Sequence, residues 1–175
     1  MWNYEKRLQY PVKITQTNPK IAQVIISQFG GPDGELAASM RYLSQRYTMP
    51  YREVIGTLTD IGTEELAHME MICAIVYQLT KDLTPEQIKE SGFDKYYVDH
   101  TLALWPQSAG GTPWTATYFQ SKGDPITDLH EDMAAEQKAR TTYDNILRLV
   151  KDPVLDNELK YQYDFPIHHQ NISFV

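Results

Sequence analysis

Apolar positions recur along this chain at spacings of three and four, most clearly between residues about 51 and 80. There Leu58, Ile61, Ile72, Ile75 and Leu79 share one side of a helical wheel, which predicts a long helix with an inward stripe. Two consecutive positions of that stripe are polar, Glu65 and His68. A second stripe predicts a helix over about 125–150, opened by Asp124-Pro125: Ile126, Leu129, Met133, Glu136, Arg140, Tyr143, Leu147 and Val150. Glu136 sits in the middle of that seam. Ahead of these, Asn18-Pro19 opens a short helix (about 19–28) that stops at Gly30-Gly31-Pro32. Asp33 then caps a segment from about 34 to 47, and the two pieces read as one interrupted arm. Asp152-Pro153 starts a last helix, about 153–172, which Pro166 kinks or ends.

Residues 81–124 form a long connection in which Thr84-Pro85-Glu86-Gln87 predicts a capped short helix and Gly110-Gly111-Thr112-Pro113 a turn. A connection of this length is expected to be functional or committed to oligomer contacts. Three long helices and a broken one, joined by one long crossover, predict an all-α, ferritin-like four-helix bundle. The 175 residues suit one domain spanning 1–175.

Composition narrows the function classes. No run approaches the length of apolar residues that crosses a bilayer. The start, Met1-Trp2-Asn3-Tyr4-Glu5-Lys6-Arg7, lacks the apolar core of a signal peptide, so cytoplasmic synthesis without export by the general pathway is expected. The net charge of −7 argues against nucleic acid and anionic membranes as partners. The single cysteine, Cys73, cannot form an internal disulfide and lies in the apolar run Met71-Ile72-Cys73-Ala74-Ile75, where a buried, inert thiol is expected.

The candidate chemistry lies in the polar residues of the stripes. Burying an unpaired carboxylate costs several kcal/mol, so inward acids need partners. The same demand arises at Glu35, at Glu65 and His68, at Glu136, and at His168 or His169. A shared metal centre answers all of them, and Glu65-Leu66-Ala67-His68 is an E-x-x-H pairing that puts both ligands on one helical face. Carboxylate oxygen with imidazole nitrogen suits Mn or Fe. The bland alternative has Glu35 and Glu136 facing water. Glu64 and Glu70 lie off the stripe and are expected to be solvated.

The chain resembles the dinuclear manganese catalases, in particular their short CotJC-type relatives of bacterial spore coats. The likeness is carried by Trp2-Asn3-Tyr4-Glu5-Lys6, Leu8-Gln9-Tyr10-Pro11-Val12, Gly34-Glu35-Leu36-Ala37-Ala38, Arg41-Tyr42-Leu43, Asp60-Ile61-Gly62-Thr63-Glu64-Glu65, Lys122-Gly123-Asp124-Pro125 and Glu131-Asp132. The resemblance implies two Mn ions per chain: Glu35 on one metal, Glu65 bridging, His68 completing the first half, and Glu136 with His169 serving the second. His169 is preferred to His168 by its register from Glu136. Tyr42 would hydrogen-bond near the metals or be a plain core tyrosine. The implied reaction is disproportionation of hydrogen peroxide to water and oxygen, in a homo-oligomer (a hexamer) associated with the spore coat and its other proteins. The chain departs from relatives at Pro166, at Ala135 where some carry arginine, and in ending at Val175. Two other readings remain open: a structural coat component with a weak or vestigial site, and a di-iron oxidase, peroxidase or iron-handling protein. Ala139, three after Glu136, denies the second E-x-x-H that the di-iron class carries.

Overall fold

The computed structural model describes residues 7–96 and 104–150, with only the backbone of residues 95 and 96. Among these residues the regular structure is helical apart from an isolated bridge between Gln107 and Pro113. The elements are α1 (Pro19–Ile25), α2 (Ser27–Gly30), α3 (Glu35–Gln45), α4 (Arg52–Thr80), α5 (Pro85–Ser91) and α6 (Pro125–Leu149), with short 3₁₀ turns after α3 and α5. The predicted last helix, about 153–172, lies outside the described residues, and with it His168 and His169.

Three starts are set by side-chain caps. The Asn18 side chain accepts from the Ile21 N–H with Pro19 at the first turn, and Asp124 accepts from Thr127 N–H ahead of Pro125. Thr84 and Gln87 close a reciprocal capping box on α5, and Gly92 ends that helix in the left-handed region at φ 77°. One predicted cap is corrected. The residue preceding α3 is Gly34, with no side-chain cap; Asp33 instead forms an ion pair with Lys138 Nζ on α6 at 2.9 Å.

The α4 stripe is buried along its whole length: Leu58, Ile61, Glu65, His68, Ile72, Ile75 and Leu79. Its C-terminal half joins Ala22, Ile25, Ile26, Tyr143 and Ile146 in one apolar cluster, and its N-terminal half joins Tyr42 and Met49 in another. Glu65 and His68 fall between the two. The stripe expected on α6 needs shifting. Ile126 is 67% exposed, while Asp128, Asp132, Ala135, Glu136, Tyr143 and Ile146 are buried. The inward face of α6 therefore starts acidic and becomes apolar only in its second half, so hydrophobicity alone misplaced its register.

Two glycines permit close approaches. A Cβ on Gly62 would meet Leu43 Cγ at 2.9 Å, and Ser39 Oγ donates to Gly62 O at 2.9 Å, so α3 lies tight against α4. A Cβ on Gly30 would meet Gln107 N at 2.1 Å, where the crossover lies on α2. The crossover's end is tied down as well: Gln45 Nε2 donates to Gln120 O at 2.9 Å, and the Lys122 and Gly123 N–H groups donate to buried Asp128.

Candidate metal centre

The tight α3–α4 pair brings the first turn of α3 beside the middle of α4. Glu35, Glu65 and His68 are 6%, 3% and 2% exposed. One ligand atom from each lies within 4.8 Å of the others, a spread that a cation with bonds of about 2.0–2.6 Å can span. His68 Nδ1 is 2.8 Å from Glu65 Oε2, the contact that the three-residue spacing sets up. Glu136 is not in that trio, but it lines the same cavity, together with Asp33, Ala38, Arg41, Tyr42, Ala135 and Ala139. The volume of that cavity is about 10 Å³, on the scale of a single water. Glu35 and Glu136 therefore do not face open water.

A reciprocal pairing ties α3 to α6 at this cavity. The Tyr42 hydroxyl, on α3, donates to Glu136 Oε1 on α6. The Tyr143 hydroxyl, on α6, donates to Glu35 Oε1 on α3. Each tyrosine stands seven residues after the acid of its own helix, two turns along the same face, and reaches the acid of the other helix. Tyr42 is thus a core tyrosine by burial and a hydrogen-bond donor at the site as well. Tyr143 was legible as a seam residue only, because nothing in an apolar stripe distinguishes a packing tyrosine from a donor.

The electrostatics are those of buried acids crowded together. Burial first, then the neighbouring Glu65 charge, raises Glu35 well above its ordinary value of 4.5, opposed by the Tyr143 hydrogen bond. Burial, then the charge of Glu136 for Tyr42 and of Glu35 for Tyr143, pushes both phenols well above 10.0 and keeps them neutral donors. A divalent cation would relieve this repulsion, and oxygen donors with one imidazole suit Mn or Fe. The residues fit a metal.

The flanking expectations stand as follows. Glu64, expected in water, is half-buried and accepts from Gln9 Nε2 at 2.7 Å; Glu70 is also half-buried. Cys73 is half-buried rather than buried, and burial raises its thiol to about 12, which keeps it unreactive. No helix among the described residues is long and apolar enough to cross a membrane.

The chain is 56% identical over 169 residues to the protein CotJC of Bacillus subtilis, covering 97% of this chain and 89% of that one. It is 32% identical over 172 residues to a probable manganese catalase of Clostridium acetobutylicum, covering 97% and 75%. The solved structure of wild-type KatB, a manganese catalase from Anabaena, superposes with a TM-score of 0.91 at 29% identity, over 99% of this chain and 78% of that one. That likeness shows the ferritin-like helical fold. The family described as manganese containing catalase matches residues 1–174, and the chain belongs to it.

Proposed function

We propose that this protein is a dimanganese catalase that converts hydrogen peroxide to water and oxygen, working in the spore coat as a homo-oligomer. The observation that carries the reading is the convergence of Glu35, Glu65 and His68 from α3 and α4 on a buried cavity that Glu136 of α6 also lines. Glu35, Glu65, His68, Glu136 and His169 would hold two Mn ions per chain, with Glu65 shared. When bound, such a pair supplies a two-electron redox couple, so peroxide can be reduced and oxidised without releasing a radical. The chain's own groups do the rest. The Tyr42 and Tyr143 hydroxyls orient the two outer carboxylates, and the apolar clusters above and below keep bulk water out. Iron is the alternative occupant; Ala139 in place of a second E-x-x-H supports manganese. The coat setting is supported by the identity to CotJC.

The test pairs elemental analysis with an oxygen electrode. Mn-loaded protein is expected to hold about two Mn per chain and to evolve oxygen from peroxide. Glu65→Ala should lose the metal and at least about a hundredfold of the rate. Undiminished turnover by a verified metal-free preparation sinks the reading. Exposed Tyr47, Tyr51 and Ile126 favour a second reading, an assembly component of the coat. Bound metal without oxygen release, together with self-assembly, selects that one.

A further inference from the structure

Arg41 stands on α3 at the cavity wall, and its side chain is 1% exposed. A buried guanidinium is costly unless its five N–H donors find acceptors. Here they are only partly matched. Nε lies 2.6 Å from Glu131 Oε2 on α6, a Coulombic contact off the hydrogen-bond axis. Nη2 donates to Tyr118 O at 3.4 Å, which is long. Nη1 is buried and has no hydrogen-bond partner among the described residues. A guanidinium serving only as the counter-charge of Glu131 would be expected to meet it with two parallel N–H groups. Arg41 instead spends one edge on Glu131 and leaves donors over.

Its neighbours on the wall explain what those donors can meet. Ala38, Ala135 and Ala139, which are small, line the cavity beside the acids. The other charged groups lining the cavity are Asp33, Glu35, Glu65 and Glu136, all acidic, apart from the imidazole of His68. Any anion entering this space meets several carboxylates and one permanently cationic side chain, Arg41. A guanidinium fork binds small oxyanions and pseudohalides through paired N–H groups.

We propose that Arg41 is the anion-positioning group of this cavity, with Glu131 holding its Nε so that Nη1 can bind a small anion, deprotonated peroxide in the working enzyme, beside the cation site. The inference rests on the catalase reading for the identity of that anion, but not for the existence of the site. Azide is the probe, titrated calorimetrically into Mn-loaded full-length protein. Wild type is expected to bind it saturably. The Arg41→Gln/Glu131→Gln double variant, which removes the pair without stranding an acid, should bind azide about tenfold to a hundredfold more weakly at unchanged Mn content. Its KM for peroxide should rise more than its kcat falls. If the double variant fails to fold, Arg41→Lys decides, since it keeps the charge and loses the fork; its azide affinity should drop several-fold. Absent azide binding in wild type, or equal affinity in the folded variants, overturns the assignment. Arginine-dependent azide binding without oxygen evolution leaves the anion site standing and removes the catalase reading; oxygen evolution with arginine-independent azide binding does the reverse.

Discussion

The Tyr143 hydroxyl lowers the pKa of Glu35, against burial and the Glu65 charge, which raise it. Tyr143→Phe therefore raises Glu35 further, and because a ligand must shed its proton to bind a cation, the midpoint of Mn binding should move to higher pH. A pH titration of bound Mn checks this, and an unmoved midpoint contradicts it. The stability cost of losing one such hydrogen bond is about 1–3 kcal/mol. At this scale Glu65 and His68 were plain in the sequence, because polar residues stand out in a stripe that is otherwise apolar. Arg41 and Asp132 were not read as inward. Both are buried, and the usual preference of charge for water pointed the other way.

Among the elements, α4 matched its reading from end to end because its inward face is apolar on both sides of the site. The α6 register was displaced because Asp128 and Asp132 occupy the inward positions of its first turns. Asp128 serves there as acceptor for two backbone N–H groups of the crossover, a contact between segments that no helical periodicity encodes. The crossover itself was recognised by its length and by the α5 capping box. Its seat on α2 depends on Gly30, where a side chain would collide with backbone atoms at 2.1 and 2.2 Å. Backbone cannot rotate aside as a side chain can. Gly30→Ala should cost about 3 kcal/mol, read as a lowered urea midpoint, with proteolytic cleavage appearing first in residues 104–124. A midpoint within error of wild type would show that the crossover is not anchored there.

For the whole molecule, stability and charge are linked through buried Asp132. Burial, opposed by Gln45, raises it from 3.8 to about 8. The folded state thus holds a proton that the unfolded chain has lost over that interval, so the contribution of Asp132 to stability is fully present below 3.8 and is lost as pH rises towards about 8. Asp132→Asn removes that dependence. Thermal unfolding of the metal-free protein should show the variant gaining roughly 1–3 kcal/mol on wild type near pH 9 and nothing near pH 4; parallel curves contradict the argument. The ferritin-like bundle and the inward placing of Glu65 and His68 were readable from helix periods and one E-x-x-H. Glu136 was readable as an inward acid, while the expected ligand His169 falls outside the described residues.

The crossed tyrosine–glutamate pairs make the polar cluster depend on α3 and α6 together. Fraying of α6 alone withdraws a donor from Glu35 and an acid from the opposite wall in one event. On the catalase reading proposed above, a half-open molecule would lose the site before it unfolds.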